Sequence, residues 1–199
     1  MLRLAICCIL MSMGNLVLSR FLPVHNIDLI NNVFQTLLLA TFYMLCIEIL
    51  RAGILEKRHS KTVGAIALMV LPIAYGLLLF LISAFPYWLR VMYFFIPNLL
   101  ITEGGFSAVI LGVLFYLFRK NRIIQVSIVV AYSILAIILT FSRGAGLFSG
   151  SSQWLLIFAI IPILLYNGER GRGKTFFFYI FYPAHIYLFY FIAWFIGRT

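Results

Sequence analysis

Charge is scarce in this chain. Only 10% of its residues are charged, and the acidic ones number five in 199. A soluble domain carries roughly 25% charged residues. With 64% hydrophobic residues and a mean hydropathy of +1.11, the chain could not stay in solution, and the class is a polytopic membrane protein. Cysteine is also scarce. Cys7, Cys8 and Cys46 all lie in apolar runs. They have no metal-ligand spacing and no loop to staple, so they read as packing residues and no metal is expected. Linkers, low-complexity tracts and internal repeats are missing, so residues 1–199 read as a single integral membrane domain. A small-x-small cleavage site is missing after Met1–Arg20, which therefore reads as a retained span and not a signal peptide. The net charge of +10 has no soluble basic surface to display it. This argues against direct nucleic-acid binding and for basic loops that hold membrane topology, beside lipid.

What is present is about seven apolar runs. A span needs about 20 such residues, and Leu2–Leu22, Val33–Leu50, Thr62–Phe85, Ile123–Phe141, Trp154–Tyr166 and Phe176–Ile196 serve. The stretch Pro86–Phe118 is too long for one straight span and short for two, and Pro97, Glu103, Gly104 and Gly105 interrupt it. The basic clusters Arg51–Lys61 and Arg119–Arg122 share the cytoplasmic side only if this stretch crosses once. Pro86–Asn98 is then re-entrant or interfacial, and Leu99–Phe118 is the span. The expected fold is an all-α transmembrane bundle with the N-terminus cytoplasmic and the C-terminus outside. Arg3 and the Asn167–Lys174 loop join the two clusters inside, and Arg20, Arg90, Arg143 and Arg198 fall outside.

Broken backbone survives at membrane depth only where protein or water satisfies it, so Glu103-Gly104-Gly105 is a candidate cavity wall. His185 lies eleven residues past Lys174, roughly 16 Å along a helix, near mid-bilayer. An ionisable residue there is costly and is by default a functional candidate, against the plainer role of an interhelical bond. Pro183 cannot donate to the Tyr179 carbonyl, which leaves an acceptor free one turn before the histidine. Glu103, or Glu48 nearer the cytoplasmic end of its span, could act as a carboxylate partner. Tyr166, Tyr179 and Tyr182 are placed where a phenol could face a polar cavity.

The loop Gly168–Thr175 matches the phosphate-loop pattern G-x-x-x-x-G-K-[ST] letter for letter. That motif works between a buried strand and a helix, and here both flanks are membrane spans, so the nucleotidase reading fails. Its parts still suit a phosphate: three glycines for close approach, the cations Arg170, Arg172 and Lys174, and a helix start directly after. The alternative is a topology anchor against lipid headgroups.

The run Tyr166-Asn167-Gly168-Glu169-Arg170-Gly171, then Lys174, then Phe178-Tyr179-Ile180-Phe181-Tyr182-Pro183 and His185 resembles the TraX family. These are membrane proteins whose namesake N-acetylates the pilin of conjugative plasmids. Weaker similarity runs through Asn32–Leu38 and Gly112–Arg119. The resemblance implies a bacterial inner-membrane acyltransferase that uses acetyl-CoA or another acyl-CoA. The acceptor would be an amine or hydroxyl on a pilin-like peptide, a sugar or a lipid headgroup. Carried onto these residues, it puts coenzyme A phosphates on Asn167, Gly168, Arg170, Gly171, Arg172 and Lys174. His185 becomes the base and Glu103 its orienting carboxylate, with Tyr182 or Asn167 as donor to the oxyanion. The family usually begins with a segment carrying an Asp-His pair, and no such pair occurs here. The expectation is therefore a chain lacking the family's N-terminal portion, and inactive alone if that pair takes part in catalysis. A small transporter or channel, or a non-catalytic membrane partner, are the rival classes.

Overall fold

The computed structural model describes residues 1–24, 29, 32–81, 96–99, 102–144, 146, 152–169 and 175–197. Among them there is helix and no strand: α1 (Leu2–Phe21), α2 (Val33–Leu55), α3 (His59–Leu81), α4 (Gly105–Leu117), α5 (Arg122–Ser142), a 3-10 segment Ser152–Ala159 running into α6 (Ile160–Leu165), and α7 (Thr175–Ile196). Five of these are long and apolar enough to cross a membrane, while Gly105–Leu117 and Ser152–Leu165 are shorter apolar helices. The chain is an all-α integral membrane protein. It packs as two compact units, Met1–Val113 with Gly173–Thr199, and Leu114–Arg172.

In the first unit, α2 and α3 form a tight helical hairpin. Lys57 turns the chain with a left-handed φ of 53°, and the Arg58 N–H closes on the Gly53 carbonyl at 2.9 Å, the local geometry of a helix C-terminus. Gly53 is needed there, because a Cβ would stand 2.9 Å from the Thr62 backbone nitrogen. Tyr43 donates to the Met69 carbonyl at 3.1 Å, in the turn where Pro72 interrupts the helical ladder. Leu39, Ala40, Tyr43 and Val109 bring α4 onto α2.

The expected span Leu99–Phe118 is corrected by the structure, since helix begins only at Gly105. Gly104 and Gly105 take φ of 75° and 63°, conformations that glycine alone adopts freely, and the Gly105 N–H closes on Thr102 at 2.7 Å. Thirteen residues reach only about 20 Å, short of the roughly 30 Å hydrocarbon core. Most of the expected re-entrant segment Pro86–Asn98 lies outside the described residues. Asn98, at its end, is 2% exposed.

The first and last helices run parallel. Tyr187 donates to the Met11 carbonyl at 3.2 Å and Tyr190 to that of Leu22 at 2.8 Å, so the chain numbers rise in the same direction along both. In the second unit, Asn121 caps α5, its Oδ1 accepting from the Ile124 N–H at 3.2 Å. Val129, Ser133, Ala136 and Thr140 are the buried stripe of that helix, at the spacing of one helical face. Tyr132 donates to Gln153 at 3.2 Å, which ties α5 to the 3-10 segment. That segment occupies the start of the expected span Trp154–Tyr166, so only its last turn and a half is α-helical.

Candidate functional site

The site begins with a helix start that does not cap itself. Asn32 precedes α2, a position where its side-chain oxygen would ordinarily accept from the first-turn N–H groups. No such bond forms. Its Nδ2 instead donates across to α1, to the Cys8 carbonyl at 3.0 Å and the Ser12 hydroxyl at 2.9 Å. Gln35 adds a longer bond to Ser12 at 3.4 Å. Cys8 and Ser12 lie mid-way along α1, so α2 begins beside the middle of its neighbour. The positive end of the α2 dipole is thereby delivered into the interior of the bundle.

Two groups meet that end. One turn into α2, Thr36 donates to the Glu103 main-chain carbonyl at 2.7 Å. This holds the Thr102–Gly105 turn against the helix. The Glu103 carboxylate then accepts the hydroxyl of Tyr182 from α7. Phe34 fixes the ring, edge-on to Tyr182 at 5.7 Å and stacked on Tyr179 at 5.9 Å. Among the described residues no cation pairs with Glu103. Glu48 pairs with Arg51 at 3.7 Å on an exposed face, and Glu56 with Arg58 and Lys61. Glu48 therefore stands apart from the site. Thr102 Oγ1 and Asn32 Oδ1 are buried without a hydrogen-bond partner.

His185 is the next group along α7. Its Nδ1 lies 2.9 Å from the Phe181 carbonyl. A carbonyl can only accept, so that nitrogen carries the proton, and the tautomer assigned from this bond leaves the lone pair on Nε2. The imidazole stacks on Phe181 at 5.1 Å and meets the Tyr182 ring edge-on at 5.2 Å. This corrects the expectation that Glu103 orients His185. The carboxylate takes the phenol, the histidine is held by its own helix, and Tyr182 touches both. The carbonyl used is that of Phe181, and not the Tyr179 acceptor that Pro183 leaves free.

The other expected site residues are distributed differently. Asn167 and Gly168 belong to the second unit. The Asn167 side chain is engaged within its own turn, accepting from the Glu169 N–H at 3.0 Å and donating to the Glu169 carboxylate at 3.3 Å. Both its donor and its acceptor are in use. Gly168 takes a φ of 86°, which only glycine adopts without strain. Tyr166 is exposed in the same unit. Arg170, Gly171, Arg172 and Lys174 lie outside the described residues. The sequence reading missed Thr36 and Asn32. Their signal is the polar set Asn32, Gln35 and Thr36 at three- and four-residue spacing, one face of an otherwise apolar helix.

A phenol, a carboxylate and an imidazole thus gather where a helix N-terminus and a broken half-span meet inside a membrane bundle. The family model of TraX, the TraX protein, matches residues 24–193, which include every one of these groups. No curated protein and no solved structure matches the chain. A match over most of the chain, joined to this helical membrane architecture, places the protein in the TraX family.

Proposed function

We propose that this protein is a membrane acyltransferase moving an acetyl group from acetyl-CoA to an amine or hydroxyl acceptor, such as a pilin-like N-terminus, a sugar or a lipid headgroup. It would work in the bacterial cytoplasmic membrane with its N-terminus inside. The observation carrying this reading is the Tyr182–Glu103 hydrogen bond beside an imidazole whose Nε2 has no hydrogen-bond partner among the described residues, within a TraX family chain.

The chemistry follows from the groups. His185 Nε2 accepts the proton of the acceptor as its nitrogen or oxygen bonds to the thioester carbon. The imidazolium that forms lies against Tyr182, and the Glu103 charge on the far side of that phenol favours it. The oxyanion is met by the Tyr182 hydroxyl, exchanging its bond to Glu103. Collapse breaks the carbon–sulfur bond, and the coenzyme A thiolate takes the proton back from His185. Arg170, Arg172 and Lys174, with Asn167, Gly168 and Gly171, remain the proposed hold on the phosphates.

The test uses the purified chain in lipid nanodiscs with acetyl-CoA. Candidate acceptors are a peptide with a free N-terminal amine, an amino sugar and phosphatidylethanolamine. Acetylated product and released thiol are expected, and His185→Ala should reduce both at least about a hundredfold, the range of a lost general base. Undiminished transfer by that variant at equal folding would sink the mechanism. The short α4 and its glycine break favour a second reading, a small transporter. Solute flux in liposomes without thiol release would select it.

A further inference from the structure

Where α1 and α7 run side by side, a groove of about 410 Å³ opens between Arg3, Ile6 and Cys7 on one helix and Phe176 and Tyr179 on the other. Its walls are apolar and aromatic, and among the described residues that line it the one charge is the Arg3 guanidinium, for which no carboxylate partner occurs among the described residues. At its inner end stands Tyr179. That ring stacks on Phe34, Phe34 meets Tyr182, and Tyr182 bonds Glu103. From Phe176 to Tyr182 is six residues of one helix, a rise of about 9 Å. The groove therefore leads from the Arg3 guanidinium to the edge of the candidate site.

We infer that this groove holds the arm of the acyl donor, with Arg3 on a coenzyme A phosphate and the thioester chain laid along Phe176 and Tyr179 toward Tyr182. The inference rests on the acyltransferase reading and adds to it a specific path and a specific cation. Charge and continuity select the occupant. An anionic head suits the Arg3 guanidinium, a flexible chain suits an apolar trough, and only a donor has reason to lie in line with the reacting groups. A phosphate-headed membrane lipid shares the first two properties but not the third.

Cys7 makes the groove directly testable. It is partly exposed on the groove wall, whereas Cys8 and Cys46 are each 1% exposed. The chain is placed in phosphatidylcholine nanodiscs, and alkylation of Cys7 by N-ethylmaleimide is followed by peptide mass spectrometry, with acetyl-CoA or lysophosphatidylglycerol added. Acetyl-CoA at ten times its dissociation constant should slow Cys7 labelling about tenfold, by the occupancy factor. Arg3→Ala should raise the acetyl-CoA concentration needed about tenfold, the worth of one charge-assisted contact, and Arg3→Lys should restore most of it. Labelling unchanged by acetyl-CoA, in a preparation that still transfers acetyl groups, overturns the groove and leaves the enzyme reading intact. Protection by lysophosphatidylglycerol alone makes the groove a lipid cleft and also overturns it. A preparation that neither transfers acetyl groups nor retains acetyl-CoA in equilibrium dialysis overturns both.

Discussion

The Tyr182–Glu103 contact can be weighed by a double-mutant cycle. Tyr182→Phe removes one hydroxyl. It takes the donor from the Glu103 carboxylate. Glu103→Ala removes the carboxylate while leaving the main-chain carbonyl that Thr36 holds. Interhelical hydrogen bonds in membranes average about 0.6 kcal/mol and reach about 1.7, and bonds to a charged group are worth about 1.5–3 kcal/mol. Both partners are partly buried, so a coupling near 1.5 kcal/mol is expected, about tenfold in the unfolding equilibrium. The assay is unfolding by sodium dodecyl sulfate in mixed micelles, followed by tryptophan fluorescence. The two single losses should together exceed the double variant's loss by about that coupling. Tyr179→Phe keeps the ring that stacks on Phe34 and removes a hydroxyl with no hydrogen-bond partner among the described residues, so it serves as the control and should cost less than about 0.5 kcal/mol. Additivity within about 0.5 kcal/mol would mean that the phenol and the carboxylate do not interact in the folded protein, and the site as described would not stand.

Two further outcomes follow from packing and topology. Gly14→Ala should destabilise by about 1–3 kcal/mol, the cost of overpacking. Its Cβ would stand 3.0 Å from Tyr187 Cζ and would press on the hydroxyl that bonds Met11. Gly64→Ala, with nothing within 4 Å, should instead stabilise by about 0.5–1 kcal/mol in the same assay, and equal effects at both positions would refute the α1–α7 contact. In a cysteine-free background, Lys120→Cys should escape a membrane-impermeant maleimide in intact cells and react in inverted vesicles, and Arg143→Cys should do the reverse. The opposite pattern would turn the proposed orientation around.

Hydropathy made the long helices legible almost to the residue. Leu2–Leu22 became Leu2–Phe21, and Ile123–Phe141 became Arg122–Ser142. It saw α2 end at Leu50, whereas the helix continues to Leu55, because Arg51 costs apolarity but not helicity. The break at Glu103-Gly104-Gly105 was legible as a break, since two adjacent glycines beside a carboxylate disfavour helix. Its extent was not, because a helix start is set by the φ of Gly104 and Gly105 and not by their hydropathy. His185 and Tyr182 stood out as polar groups in an apolar helix. Their partners did not, since nothing in a linear pattern reports that Glu103 turns to Tyr182 rather than to His185. That choice depends on where the α2 start and Thr36 hold the glycine turn.

The separation of Glu103 and Tyr182 along the chain, 79 residues, has a consequence for biosynthesis. At about 5–20 residues per second, roughly 4–16 seconds pass between translation of the carboxylate and of its phenol. Thr36 is made earlier than both, so the glycine turn can dock on α2 while the ribosome is still far from α7. Among the described residues the carboxylate side chain has no such early partner, and a bare charge in a bilayer invites water or a passing cation. Arrest of translation before Tyr182 would leave a membrane protein with most of its helices and with the Thr36-held turn, but with neither the phenol nor the imidazole of its site.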